Sequence, residues 1–223
     1  MNNQSKKVAW ILGGTGLVGQ ALVEQLKEDD AYGEIHLLSR RELAHTHPNI
    51  QVHVVDYNQP ESWQDIVKGD VLFSSMGTTI KKAGSQEAQY KVDYTYQYET
   101  ARAAASNGVP AYVLISSIGA NSTSSVFYTR IKGELDRDVQ QLGFSAVTIL
   151  RPSVLDGDRE EHRFGENIGI KLGHLLGGLP FFSTYRPIHV EIVAQAMRAA
   201  ADRPDGTLIL DSPDMFTLAK EKA

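Results

Sequence analysis

An α/β fold, with a doubly wound parallel sheet between two layers of helices and a small cap toward the C-terminus, is what this sequence predicts. Short apolar runs alternate with stretches of helical periodicity from end to end. The apolar runs are continuous, as in strands covered on both faces. The length, 223 residues, suits one large domain with a well-buried core. Taken in order, Val8–Leu12 is the first strand and Leu17–Leu26 the first helix. Ile35–Leu38, Val52–Val55 and Val71–Phe73 are strands two to four. Glu87–Ala105 reads as one long helix leading into a fifth strand, Tyr112–Ile115. Helix Val126–Leu142 and strand Ala146–Leu150 follow, and helix Val190–Ala201 and strand Leu208–Leu210 close the alternation. Crossovers between parallel strands are right-handed almost without exception, which leaves the doubly wound order as the simplest. The stretch from about 156 to 187 is Gly-rich and weakly periodic. It is expected to cap the carboxyl ends of the strands, where open α/β sheets place ligands. A single domain over 1–223, without internal repeats, follows.

Composition narrows the function classes. Hydrophobic residues are 42% and charged residues 22%, an ordinary globular balance. There is no cysteine, so disulfides, cysteine nucleophiles and thiolate metal sites are excluded. A formal charge of −5 argues against nucleic-acid or anionic-membrane partners. No apolar run approaches the roughly 20 residues that span a bilayer, and no apolar leader precedes the first strand, so the cytoplasm is the expected compartment. No metal is expected: His45 and His47 read as an exposed loop pair without a carboxylate partner. His189 reads as a core histidine before it reads as a lining of the substrate mouth, and Lys81-Lys82 as a solvated loop near enough to the cofactor edge to help recruit an anion.

Directly after the first strand comes Gly13-Gly14-Thr15-Gly16-Leu17-Val18-Gly19, and then a helix. Gly13 permits the tight turn, Gly16 lets backbone N–H groups approach a pyrophosphate, and Gly19 lets helix and strand pack closely. The open amides and positive dipole end of the helix then receive the anion. This is the dinucleotide loop of a Rossmann fold. Strand two ends Leu37-Leu38-Ser39-Arg40-Arg41, and the first acid is Glu42. A carboxylate at the strand end would hold a ribose 2′-hydroxyl, whereas Arg40 pairs with a 2′-phosphate and Arg41 assists or lies on the adenine. NADPH is therefore expected over NADH. Asp56, at the end of strand three, either accepts the adenine amino group or serves its turn. Gly77, in Ser74-Ser75-Met76-Gly77-Thr78-Thr79, either lets the chain pass close to the cofactor or makes a tight turn.

Tyr128-Thr129-Arg130-Ile131-Lys132 opens a helix, and residues at i and i+4 share a helical face. A free phenol has a pKa near 10, and a neighbouring ammonium favours the phenolate. The pair makes a tuned acid/base for a carbonyl or hydroxyl next to a nicotinamide. Of the nine tyrosines only Tyr128 has lysine at +4. One strand earlier, Ser116-Ser117 ends strand five, where a hydroxyl can donate to a substrate oxygen as charge develops on it. Ser117 is the first choice and Ser116 the reserve; both also fit turn capping. Tyr90, Tyr94 and Tyr98 recur at helical spacing as a packing or subunit-facing stripe, and Arg151 fixes the turn after strand six. Oligomeric state is left open.

In this order, Gly13-x-x-Gly16-x-x-Gly19, Ser116-Ser117-x-Gly119-Ala120, Tyr128-x-x-x-Lys132 and Arg151-Pro152 resemble an atypical short-chain dehydrogenase/reductase. Met76-Gly77-Thr78-Thr79, Lys82-Ala83-Gly84, Val92-Asp93, Lys132-Gly133-Glu134 and Arg151-Pro152-Ser153-Val154-Leu155 are similar to the Tat-interacting-protein oxidoreductase branch. The resemblance spans nearly the whole chain. It implies cofactor contacts at Thr15, Gly16, Leu17 and Val18, with Arg40 and Arg41 at the 2′-phosphate and Met76 and Gly77 beside the nicotinamide half. It also implies that Tyr128 and Lys132 serve both catalysis and cofactor binding, with Lys132 reaching the nicotinamide ribose, while Leu155 and Arg163 close over the cofactor. One departure is Asp93, near which many relatives place an asparagine that organises a water relay to the lysine. The short cap implies a small substrate. An NADPH-dependent oxidoreductase with Ser117, Tyr128 and Lys132 as catalytic residues, acting on a small carbonyl or hydroxyl compound, is the expected function. An NADPH-sensing regulatory or partner-binding protein with little turnover is the alternative. An epimerase or dehydratase that retains its cofactor is a third reading.

Overall fold

The computed structural model describes residues 6–44, 47–157 and 186–222. Seven parallel strands form one sheet in the order β3-β2-β1-β4-β5-β6-β9. They are β1 (Lys7–Leu12), β2 (Tyr32–Ser39), β3 (Ile50–Val54), β4 (Val71–Ser74), β5 (Ala111–Ile115), β6 (Ala146–Arg151) and β9 (Gly206–Asp211). Order reverses between β1 and β4, which leaves a crevice above their carboxyl ends where such sheets bind ligands. Two further short strands, β7 (Leu155–Asp156) and β8 (Ile188–His189), pair in parallel and close the base of the segment expected as a cap. Most of that segment, with Arg163, lies outside the described residues, as does His45.

Alternation along the strands sends successive side chains to opposite faces. Ala9, Ile11, Leu37, Phe73 and Val113 pack under α1 (Leu17–Lys27) and under the two helices that flank β9 in sequence. Trp10, Leu12, Leu38, Leu72, Tyr112 and Leu114 pack under the other layer. Full burial of a large apolar side chain stabilises by about 1.5–3 kcal/mol, so both faces of the sheet contribute to holding it between its two helix layers. The first layer is completed by α6 (Val190–Ala200) and α7 (Ser212–Ala219).

The second layer contains α2 (Ile80–Ala83), α3 (Gln86–Tyr90), α4 (Tyr96–Ser106) and α5 (Phe127–Val139). Here the expected single helix over 87–105 is interrupted. Lys91–Thr95 is a π-helical turn between α3 and α4. Such a turn leaves carbonyls off the regular ladder, and the Gln97 amide repairs it by donating to the Val92 and Asp93 carbonyls at 3.2 and 2.9 Å. Lys81 and Lys82 lie on the exposed α2 and not in a loop. Tyr90, Tyr94 and Tyr98 form a ladder of rings 4.9 and 5.7 Å apart, and the Tyr94 hydroxyl donates to Asp138 of α5 at 2.7 Å. The stripe therefore packs the π-helical turn against α5.

Candidate functional site

The carboxyl edge of the sheet collects the chemistry. After β1 the chain turns at Gly13 with φ +88°, and a Cβ there would stand 2.5 Å from the Met76 amide nitrogen. The loops after β1 and β4 are thus in backbone contact, which only glycine allows. A Cβ on Gly19 would lie 2.2 Å from the Gly13 carbonyl oxygen, so α1 starts directly against the turn. Gly16 is the N-cap, with no side-chain cap and no acid in the first turn of α1. Its own amide donates to Gly13 O at 2.9 Å. The amides of Leu17, Val18 and Gly19 have no helical acceptor and sit at the positive end of the dipole. These residues fit a bound diphosphate: a Cβ at Gly13 or Gly19 would fill the turn, and the first turn of α1 carries no acid to oppose an anion. Thr15 is exposed, whereas the Val18 side chain is buried, so Val18 has only its backbone to offer a ligand.

Arg40 and Arg41 extend from the end of β2 and are exposed; among the described residues neither guanidinium has a hydrogen-bond or ion-pair partner. Asp56 is placed in its turn. Its carboxylate accepts the Asn58 amide at 2.9 Å and the Asn58 and Gln59 side chains at 2.9 and 3.1 Å, and these bonds hold it below the usual carboxylate range. Leu155 stands half-buried on β7 against the core. His189 is not a core residue: it is exposed and caps α6, accepting the Glu191 amide at 3.3 Å. Its place immediately before a helix gives an imidazole that use.

The two serines differ sharply. Ser116 is buried with its amide bonded to Leu150 O at 2.7 Å, while Ser117 is half-buried at the edge, its hydroxyl only weakly held by Ile118 O at 3.4 Å. Tyr128, in the first turn of α5, is 40% exposed; Lys132, one turn on, is 2% exposed. The lysine donates to Ile115 O, at the end of β5, at 3.1 Å. That anchor brings α5 and β5 together and leaves two ammonium hydrogens for other acceptors.

Two buried aspartates feel this ammonium electrostatically: Asp93, singled out in the sequence as the departure from the relay asparagine, and Asp136, to which the sequence assigns no role. Asp93 lies on the π-helical turn and accepts the Thr78 amide at 3.1 Å. Asp136 lies one turn beyond Lys132 and accepts Arg151 Nε at 2.9 Å, which ties β6 to α5. Burial pushes both carboxyls up. For Asp93, Lys132 and the Thr78 and Gln89 bonds pull it partly back; for Asp136, the neighbouring Ser116 hydroxyl, Lys132 and Arg151 do so. The spacing Lys132-x-x-x-Asp136 was a readable signal. The contact from Asp93 to Thr78 was not, since it crosses from a helix to a loop.

A family model described as NAD(P)H-binding matches residues 13–204. The protein of Candida albicans called "Protein FMP52, mitochondrial" is 34% identical over 94% of this chain and 97% of its own length. The protein of the same name from Eremothecium gossypii is 33% identical over 96% and 98%. Among solved structures, a UDP-N-acetylglucosamine 4-epimerase from Methanobrevibacter ruminantium superposes with a TM-score of 0.68 at 15% identity, over 96% of this chain and 81% of that one. The Bordetella bronchiseptica enzyme WbmH, in complex with NAD+, gives 0.68 at 14%, over 92% and 75%. At such identities the likeness shows the fold alone. The designation of the fungal relatives overturns the cytoplasmic expectation. Absence of cysteine and of a long apolar run is as compatible with a mitochondrial protein as with a cytoplasmic one.

Proposed function

The chain belongs to the NAD(P)H-binding family whose model matches residues 13–204, and from this premise we propose that it is an NADPH-dependent oxidoreductase acting on a small carbonyl or hydroxyl compound. The observation that carries the proposal is one turn of α5. It presents an exposed phenol, Tyr128, one turn from a buried ammonium, Lys132, that is anchored to the end of β5. A reduced nicotinamide, when bound, supplies a hydride to a carbonyl carbon. The chain's own residues do the rest. Amides of Leu17, Val18 and Gly19 hold the diphosphate. Arg40 and Arg41 hold the 2′-phosphate, supported by the lack of any acid before Glu42. Ser117 donates to the substrate oxygen, and Tyr128 transfers its phenolic proton to that oxygen. Lys132 stabilises the phenolate left behind and offers its remaining hydrogens to the cofactor ribose. The mitochondrial relatives direct the search for a substrate to that compartment.

Two measurements test this. Calorimetric titration with NADPH and NADH should give tight binding of NADPH, and failure to bind either removes the proposal. Aldehydes, ketones and quinones should then be screened for NADPH consumption by the wild type and by Tyr128→Phe. Equal rates in the two proteins eliminate the mechanism, and binding without turnover on any compound returns the chain to the regulatory alternative.

A further inference from the structure

Behind the loop that follows β4, one acid is held where an ordinary helix would not place it. Asp93 is 1% exposed, on the π-helical turn Lys91–Thr95. Its Oδ2 accepts the Thr78 amide at 3.1 Å, and its Oδ1 lies 3.3 Å from where a Cβ on Gly77 would stand. Gln89 ties the same loop from the same side, its amide donating to Thr78 O at 3.3 Å. The Gln97 amide donates to the Asp93 carbonyl, and its oxygen accepts the Ser74 hydroxyl at 2.9 Å. The carboxylate is therefore fixed both through its side chain and through its backbone. Beyond it lies Lys132, whose ammonium acts electrostatically on Asp93 but forms no ion pair within 4.0 Å among the described residues. A buried carboxylate is costly unless something compensates it, and this one spends a lone pair on a loop amide while lying against the loop proposed to carry the nicotinamide.

We infer that Asp93 is a positioning residue for the nicotinamide half of the cofactor, a fixed negative charge behind Gly77 and Thr78 that favours the oxidised ring over the reduced one. The inference rests on the proposed binding of a pyridine nucleotide with its ring over this loop. An oxidised nicotinamide carries one more positive charge than the reduced form. A carboxylate beside it lowers the dissociation constant of the oxidised form selectively, while the Thr78 bond holds the loop for both forms. With Lys132 opposing, the selective effect is about tenfold.

The test is the ratio of dissociation constants for NADP+ and NADPH, measured by calorimetry at one alkaline pH, where the raised Asp93 carboxyl is ionised, on the wild type, Asp93→Asn and Gln89→Ala, with NAD+ and NADH as a second pair. Asp93→Asn keeps an acceptor for Thr78 and removes the charge, so the ratio of oxidised to reduced should rise about tenfold. Gln89→Ala cuts a tie to the loop without removing a charge and should move both constants together. Asp93→Ser provides the neutral variant should the asparagine protein fail to fold. An unchanged ratio in the neutral variant, with both forms still bound, overturns the inference and leaves the proposed function standing. Failure of the wild type to bind any pyridine nucleotide overturns both.

Discussion

Arg40 and Tyr128 are the side chains on which cofactor choice and chemistry turn, and each can be isolated. Arg40 is exposed and has no described partner, so its removal leaves no buried group unsatisfied. Arg40→Ala should weaken NADPH by about 10- to 100-fold, the worth of one charge-assisted bond, and leave NADH within about twofold. Titration of both nucleotides checks it, and equal weakening would exclude a 2′-phosphate contact. Tyr128→Phe removes the hydroxyl of a 40% exposed side chain. Turnover should fall about 100- to 10,000-fold with NADPH affinity nearly unchanged, read as kcat against the binding constant. Tyr128 and Lys132 were legible in the sequence because a spacing of four is a property of any helix. Ser116 and Ser117 were not separable there. Their difference comes from burial, which seats Ser116 against Leu150 and leaves Ser117 at the edge. Asp93 was visible as an acid but not as a partner of Thr78, fifteen residues away across two elements.

At the scale of elements, the central strands β1, β4, β5 and β6 were readable as continuous apolar runs, which burial on both faces demands. The edge strand β3, Ile50–Val54, instead alternates apolar and polar residues and is buried on one side only in part. The helix over 87–105 was readable in extent but not in kind. Period alone does not distinguish an α-turn from a π-turn, and the side chain that braces the π-turn here is Gln97. Its amide bonds two backbone carbonyls of the π-turn and the buried Ser74 hydroxyl of β4. Gln97→Leu, close in volume and unable to bond, should lower stability by about 3 kcal/mol, since it orphans three buried or half-buried polar groups. Urea unfolding reads this as a lower midpoint at unchanged slope. A loss under about 0.5 kcal/mol, the usual size for a surface substitution, would mean that the turn holds itself. The glycine loop is an element-scale feature of the opposite sort. Its spacing was legible in the sequence, and backbone contact between Gly13 and Met76 is the consequence the fold adds.

For the whole molecule, the acids divide into two groups with opposite effects on stability. Bonds to Arg137 and to Tyr94 hold Asp138 below its ordinary range, and the Asn58 bonds do the same for Asp56. Their stabilisation is present above the unfolded carboxyl value of 3.8 and is lost as pH falls beneath it. Asp93 and Asp136 are pushed up by burial. In the window between 3.8 and their raised values the folded chain binds more protons than the unfolded one, so stability rises as pH falls through it. The two trends meet, and the folded state should be most stable on the acid side of neutrality. Asp136→Asn isolates one arm. It retains an oxygen for Arg151 Nε and cannot titrate, so the wild type should gain on the variant as pH is lowered from about 8 toward 4, by at most about 1.4 kcal/mol per pH unit. Urea midpoints across that range measure the difference. Parallel curves would mean that Asp136 binds no extra proton in the folded state, and that Arg151 and Lys132 together offset its burial in full.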